Sequence, residues 1–414
     1  MALLPCTGAA LLIWAGINTQ TICSRAISAR PLVFIGRISY SLYLWHWPLL
    51  ALAQYESDGG AKIPQRILII VIALALSIAS YYFVELPIRK IKVNSYIIFG
   101  GALASAGACW LGAATIIQAH GLIFPLNSAS AELIGRMNTQ AVEDGKHHLR
   151  CTTKWAEGCL LGKLDSTQKQ FILWGDSHAA SLAVGFDEVA EKLGQTGLLL
   201  GRGGCPPLLD FEPTDRQFHN CPDIAHKLER ALLDPGVKHV ILAARWAYYA
   251  PATEPIASNS PRDRRLMPGD MKGSQKMFED RLLTTVERIR RAGKLVTIIG
   301  PVPELTGALQ HTLLRSAMRS RVASVTSTLE QFKARQEIVF NTLKRLSALN
   351  GVYVVYPHKS LCSETGCVAM LGKTFLYGDD NHLTYAGVHS LQHMISEVLF
   401  IQTQGLPSAV TQIH

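Results

Sequence analysis

Long apolar stretches occur only before residue 120 of this 414-residue chain, and they dominate what it can fold into. Three of them approach the length of about 20 residues that a helix needs to cross a bilayer, and the first is barely long enough. We therefore predict an all-α membrane segment of about four helices over residues 1–120. The stretches are Ala2–Ile17, Pro31–Ala53, Ile67–Val84 and Tyr96–Ile117.

The loops between these stretches differ in charge. Arg25 and Arg30 lie in the first loop, and Arg89, Lys90 and Lys92 lie in the third, whereas the middle loop has mixed charge. Basic loops of membrane proteins face the cytoplasm, so four crossings would leave everything after residue 120 outside it. The net charge of +9 is diffuse, and no Lys/Arg run with interleaved aromatic residues indicates nucleic-acid binding.

The cysteines beyond residue 120 come in three local pairs. An even number of closely spaced cysteines is typical of disulfides formed in an oxidising compartment, which agrees with the predicted orientation. Six unrelated thiols are the alternative, and the spacing that structural zinc sites require is absent. The predicted pairs are Cys151–Cys159, Cys205–Cys221 and Cys362–Cys367.

Residues 121–165 are polar and irregular, and we interpret them as a linker. From residue 166 to 414, short apolar runs alternate with helix-like stretches, which predicts an α/β domain with a parallel sheet covered on both faces. The predicted strands are Phe171–Trp174, Leu198–Leu200, Val240–Ala243, Val296–Ile299 and Val352–Val355. The predicted helices are Ala180–Leu193, Ile224–Leu233, Lys276–Ala292 and Val322–Leu349.

Two motifs stand where the predicted sheet would place a site. Gly175-Asp176-Ser177-His178 directly follows the first strand, and Asp379-Asp380-Asn381-His382 follows the last. Asp379 could orient His382 through one ring nitrogen, while the other accepts the Ser177 proton. Helix capping by Asp176 or Ser177, and an acidic loop ahead of a helix capped by Thr384, would explain parts of the same pattern.

Together these motifs resemble the SGNH hydrolase family over about residues 168–400. The resemblance implies a flavodoxin-like three-layer fold, with Ser177 as nucleophile, His382 as base and Asp379 as its orienter. It places the oxyanion hole after the second strand, at Gly204 in preference to Gly203. The asparagine that the family has after the third strand is absent, and Arg245 or a backbone N–H near Trp246 could replace it.

The runs FIGRISYSLYLWHWP and YYFVELPIRK, at residues 34–48 and 81–90, resemble the closing part of integral-membrane acyltransferase family three. Arg37, His46 and Glu85 are the ionisable candidates within these runs, because charged groups at membrane depth are costly and usually functional. Snorkelling of Arg37 and an interfacial belt around His46 would also account for two of them. The family has about ten helices, so a missing N-terminal membrane half is an expected partner.

Such a fused arrangement implies O-acyl transfer onto lipopolysaccharide O-antigen or peptidoglycan through an acyl-serine. The expected location is the bacterial inner membrane, with the C-terminal domain in the periplasm and the bilayer and an envelope polysaccharide as partners. No bound cofactor or metal is expected, and acetyl-CoA or an acetylated intermediate would donate the acyl group. A carbohydrate esterase with the same triad, a non-catalytic envelope scaffold and a metallophosphoesterase using Asp176, His178, Asp379 and His382 are the alternatives.

Overall fold

The computed structural model divides the chain into two compact units, residues 1–123 and 124–414. It describes residues 3–18, 22–56, 63–90, 94–118, 128–147, 155–164, 168–211, 221–250, 271–307, 309–318, 326–364 and 366–404.

Nearly all described residues of the first unit are helical. Its helices are α1 (Leu3–Asn18), α2 (Ile22–Ile27), α3 (Arg30–Glu56), α4 (Ile63–Ser80), α5 (Leu86–Lys90) and α6 (Ser95–Gln118), with a π-helical turn at Tyr81–Glu85. Two stretches of the described residues, Ile63–Lys90 and Tyr96–Gln118, are long and apolar enough to cross a membrane. The structure therefore supports two of the four predicted spans, and the other two stay a prediction.

The second unit has a six-stranded mixed sheet in the order β1-β3-β2-β4-β5-β6. β1 pairs antiparallel with β3, and the remaining pairings are parallel. The prediction of a wholly parallel sheet is wrong at this edge. The segment interpreted as a linker contributes an additional strand, β1, and this strand runs antiparallel to its neighbour. The strands are β1 (Cys159–Gly162), β2 (Phe171–Gly175), β3 (Thr196–Gly201), β4 (His239–Ala243), β5 (Leu295–Ile299) and β6 (Val352–Val355).

Helices cover both faces of this sheet. They are α7 (Ser128–Lys146), α8 (Ser177–Lys192), α9 (Cys221–Leu232), α10 (Trp246–Tyr249), α11 (Met271–Arg291), α12 (Leu309–Met318), α13 (Leu329–Arg335), α14 (Glu337–Leu346), α15 (His358–Leu361), α16 (Tyr385–His389) and α17 (Gln392–Gln404). Two small hairpins complete the unit: β7 (Cys362–Ser363) with β8 (Gly366–Cys367), and β9 (Met370–Leu371) with β10 (Thr374–Phe375).

Alternate residues of each central strand face two separate cores. In β4, Ile241 packs with residues of α8 and α17, whereas Val240 and Leu242 pack with residues of α9, α11 and α14. Strands buried on both faces are typical of an α/β sheet, which explains why these runs are continuously apolar in the sequence.

The connection order reverses between β2 and β4, because β3 returns to one side of β2 and β4 to the other. Ligands of open α/β sheets bind in the crevice beyond the carboxyl ends of the strands at such a reversal. Gly175 ends β2 here, and a Cβ on it would collide with the carbonyl of Ala243 at the end of β4. The close approach of these two strand ends therefore requires glycine.

Candidate active site

Ser177 lies at the carboxyl end of β2, as the first residue of α8. Asp176 caps this helix, and its Oδ1 accepts a hydrogen bond from the His178 amide at 2.8 Å. The amides of a helix N-terminus favour negative charge, so an oxyanion formed on a group attacked by Ser177 would lie in a favourable field. Asp176 therefore caps α8, as considered from the sequence, and this capping is compatible with the placement of Ser177 at the site.

The structure brings together the three side chains predicted to form the triad. His382 Nε2 lies 2.8 Å from Ser177 Oγ, and His382 Nδ1 lies 2.6 Å from Asp379 Oδ2. The other oxygen of Asp379 accepts the amide hydrogens of Asn381 and His382 at 2.8 and 2.7 Å. The carboxylate thus holds both the loop and the ring. The hydrogen bond that it accepts from Nδ1–H keeps the ring proton on Nδ1, which leaves Nε2 free to accept a hydrogen bond from Ser177.

The charges around His382 favour a basic ring nitrogen. Burial lowers the pKa of His382, but the hydrogen bond and the charge of Asp379, helped by Asp176, outweigh burial and raise it above 6.5. Burial raises the pKa of Asp379, but its bonds to His382 and Asn381 bring it down to about 2. Asp379 is therefore ionised at neutral pH and can orient the imidazole and stabilise its protonated form.

The predicted oxyanion residues follow β3, next to β2 in the sheet. The Arg202 amide donates to the Gly175 carbonyl at 3.3 Å, and the Cys205 amide donates back to Arg202 at 2.9 Å. Gly204 has φ +77°, which favours glycine, and a Cβ on Gly203 would meet open space. This turn starts beside the strand end that carries Ser177, and an oxyanion-binding role for the two glycines stays a prediction.

Arg245 follows β4 and has two sets of partners. Its backbone amide donates to Asp176 Oδ2 at 3.0 Å, so that amide is not available to an oxyanion. Its guanidinium donates to both carboxylate oxygens of Glu304, at 3.2 and 3.0 Å. These contacts tie Arg245 to the framework of the site, and its predicted role as an oxyanion donor stays a prediction.

Several contacts that hold the site together were not predicted from the sequence. Asp176 is buried, and its Oδ2 also accepts the Tyr249 hydroxyl hydrogen at 2.7 Å. Asn381 donates its amide to Asp380, so its oxygen accepts from His178 Nε2 at 2.9 Å. Both motifs contain these residues, but Tyr249 pairs with Asp176 and His178 with Asn381 across long separations in the chain, so the sequence offered no signal for these pairings.

The membrane-segment candidates lie in the first unit and have different surroundings. Glu85, at the end of the π-helical turn, accepts hydrogen bonds from Ser41 and Arg89 at 3.1 and 2.6 Å. His46 is half-buried, with its Nδ1 3.0 Å from the Leu42 carbonyl, and Arg37 is exposed on α3. A functional role for these three residues stays a prediction.

Two of the predicted disulfides, Cys205–Cys221 and Cys362–Cys367, are confirmed. Cys159 is also disulfide-bonded, and its predicted partner Cys151 lies outside the described residues. Cys205–Cys221 joins the turn after Gly204 to the start of α9 and so limits its movement. Within the described part of the chain, no three His, Cys, Asp or Glu side chains form a group that could hold a metal.

Known proteins resemble this chain in sequence and in fold. A segment of 80 residues is 39 % identical to O-acetyltransferase OatA of Staphylococcus aureus, and it covers 19 % of this chain and 13 % of that protein. The periplasmic domain of a lipopolysaccharide acetyltransferase from Salmonella Paratyphi A superposes with a TM-score of 0.46 and 18 % identity, covering 66 % of this chain and all of that domain. Est24, a carbohydrate acetylesterase from Sinorhizobium meliloti, gives a TM-score of 0.31 and 14 % identity, over 56 % of this chain and 98 % of that one.

The family described as "SGNH domain (fused to AT3 domains)" matches residues 145–397, which is more than half of the chain. The matched range contains Ser177, Asp379 and His382 together with the strands and loops that position them. This protein therefore belongs to the family of SGNH domains that are fused to AT3 domains.

Proposed function

We propose that this chain transfers an acyl group, most simply acetyl, to a hydroxyl of a cell-envelope glycan through an ester on Ser177. The observation that carries the proposal is the continuous hydrogen-bonded series from Ser177 through His382 to Asp379. The family, and a relative named as an O-acetyltransferase, support this class of reaction. The substrate would be O-antigen or peptidoglycan, since one similar protein is named a lipopolysaccharide acetyltransferase and another, from Bacillus subtilis, a putative peptidoglycan O-acetyltransferase.

The reaction has two steps in this proposal. Ser177 Oγ attacks the carbonyl carbon of the acyl donor while His382 Nε2 takes its proton, and the leaving group departs with that proton. A sugar hydroxyl then attacks the ester carbon while Nε2 takes its proton. Nε2 passes that proton to Ser177 Oγ as the bond between the acyl carbon and Oγ breaks, which restores the Ser177 hydroxyl and releases the acylated sugar. Amides of the Ser177 helix end and of the Gly203–Gly204 turn would stabilise the oxyanion in both steps.

We place the second unit outside the cytoplasm, anchored by the helical first unit in a bacterial inner membrane. The two helices of sufficient length and the disulfides in the second unit support this location. Acetyl-CoA or an acetylated intermediate would supply the acyl group, and a further membrane half would deliver it.

The test of the proposal is to capture the acyl-enzyme. The full chain in detergent is mixed with p-nitrophenyl acetate, quenched in acid and digested for peptide mass spectrometry. We expect one acetyl group on the peptide that contains Ser177, and its loss when muropeptides or O-antigen oligosaccharides are added, with an acetylated sugar as product. Acetyl on other residues alone would contradict the proposal, whereas acetate in place of acetylated sugar would indicate an esterase.

The activity should depend on pH through His382. Only the unprotonated ring can accept the Ser177 proton, and the pKa of His382 is raised above 6.5, so turnover should fall as the pH drops through a value higher than 6.5. Asp379, with a pKa of about 2, stays ionised over this range. The measurement is kcat/KM for an acetyl ester against pH, with circular dichroism to show that the fold is unchanged; an acid limb below 6.5 would contradict it.

A further inference from the structure

The two halves of the candidate site belong to different parts of the fold. Ser177 follows β2, whereas Asp379 and His382 lie on a loop that begins two hundred residues later. One direct link joins them beside the reacting groups, from His178 Nε2 to the Asn381 oxygen. A second link between the halves runs through the segment that follows β5 and centres on Glu304.

Glu304 contacts the Ser177 half through its side chain, and its neighbour Leu305 contacts the His382 half through its backbone. On the Ser177 side, its carboxylate accepts from the Arg245 guanidinium, and the Arg245 amide donates to Asp176 next to Ser177. On the His382 side, the amide of Leu305, the next residue, donates to the Asp380 carbonyl at 2.7 Å. Glu304 thus lies where a strand end, the nucleophile segment and the histidine loop meet.

The carboxylate of Glu304 is ionised although it is buried. Its residue is 3 % exposed, and Arg335 donates to the same Oε2 at 3.0 Å from Nε. Burial raises the pKa of Glu304, but Arg245 and Arg335 lower it to about 2. Buried clusters of opposite charges contribute little net stability, because the cost of desolvating the charges cancels much of their attraction. A contribution to stability alone therefore does not explain the cluster of Glu304 with its two arginines.

The positive charge of Arg245 acts to lower the pKa of His382. The groups that act on the His382 ring are Asp379 on its own loop, Asp176 and the His178 ring from the β2–α8 side, and Arg245 after β4. Arg245 disfavours a protonated His382, and Glu304 offsets that charge. Loss of the Glu304 charge would therefore leave the charge of Arg245 without its carboxylate partner near His382.

We propose that Glu304 is a positioning residue, which holds the Ser177 segment and the Asp379–His382 loop in register through Arg245 and the Leu305–Asp380 contact. This inference rests on the proposed function for its kinetic consequences. The effect that it predicts on the pKa of His382 can be measured whether or not the protein turns over an ester.

Glu304→Gln keeps the size of the side chain and removes its charge. We expect kcat for an acetyl ester to fall about tenfold with KM little changed, because small misplacements of reacting groups reduce the rate while leaving substrate contacts intact. We also expect the acid limb to move to lower pH, since Arg245 is no longer offset. An unmoved acid limb would overturn the inference.

Arg335→Met is the matched control, because Arg335 is about as buried as Glu304 and bonds to its carboxylate, but among the described contacts it does not bond to Arg245, the residue that contacts Asp176. It should lower the melting temperature to a similar extent, with a smaller loss of kcat and no downward shift of the acid limb. Equal losses of kcat in both variants would mean a purely structural role and would overturn the inference.

If Glu304→Gln does not fold, Arg245→Lys is tested in its place. This change keeps the positive charge but removes the two-pronged contact with the Glu304 carboxylate, so an unchanged kcat would overturn the inference.

Titration of the His382 ring separates this inference from the proposed function. The full chain, labelled with ¹³C at histidine Cε1, is followed by NMR against pH, and the His382 signal is assigned as the one missing from His382→Gln. A lower His382 pKa in Glu304→Gln than in the wild type supports the inference even if no ester is turned over, and an equal pKa contradicts it.

Discussion

Ester turnover should fall by about 10⁴- to 10⁶-fold when Ser177 is replaced by alanine. Without the Oγ atom no acyl ester can form, and only binding and oxyanion stabilisation remain to accelerate attack by water. The His382–Asp379 pair does not depend on the hydroxyl, so the fold and the melting temperature should be unchanged. Initial rates with p-nitrophenyl acetate at saturating concentration, together with thermal unfolding, measure both quantities.

Ser181→Ala is a suitable control for this variant. Ser181 lies one turn later in the same helix, and its hydroxyl donates to the Ser177 carbonyl rather than to a side chain of the site. We expect a change in rate of less than about threefold, because loss of a partly exposed hydrogen bond to the backbone costs little. Turnover in Ser177→Ala close to that of Ser181→Ala would rule out Ser177 as the nucleophile.

The Asp379→Asn variant should lose about 10³- to 10⁴-fold in kcat while remaining folded. The asparagine oxygen can still accept the amide hydrogens of Asn381 and His382, so the loop keeps its shape. Its NH₂ group then faces His382 Nδ1 and donates to it, which moves the ring proton to Nε2. A protonated Nε2 cannot accept the Ser177 proton, and the loss follows from the tautomer rather than from displacement.

Two measurements separate this cause from general damage. The His382 pKa should fall in Asp379→Asn, because the hydrogen bond and charge that raise it are removed. Asp280→Asn makes the same chemical change at an exposed residue paired with Lys276 on α11 and should leave kcat unchanged. If Asp379→Asn retained most of its kcat, Asp379 would not be the residue that orients His382.

The central strands could be predicted closely because burial on both faces leaves a local signature. Val352–Val355 matches β6 residue for residue, and the other four predicted strands differ from the observed ones only at their ends. The long predicted helix at Val322–Leu349 was less accurate, since α13 and α14 divide at Gln336. Thr328 and Gln331 form a capping box that starts α13, a signal that lies within the predicted helix.

Strand β1 could not be predicted in the same way. Only Leu160 and Leu161 of its four residues are strongly apolar, and one of these side chains is exposed. An edge strand with such a short pattern is specified by its partner, here β3, rather than by its own composition. The helix α7 likewise lies in the segment interpreted as a linker, and its Gln140 exchanges hydrogen bonds with the backbone of Phe375, 235 residues away.

The sequence by itself determined which residues are the candidates to carry the chemistry. Gly-Asp-Ser-His after an apolar strand and Asp-x-x-His ahead of the last helices place a hydroxyl, an imidazole and a carboxylate at strand ends, and local spacing is enough to pair Asp379 with His382. Only the tertiary structure decided how these groups are held: Arg245 against Glu304, Asp176 against Tyr249, and Asp380 against Leu305. Those contacts join side chains and backbone from neighbouring strand ends, and strand order is set by packing of the whole sheet, which no local pattern encodes.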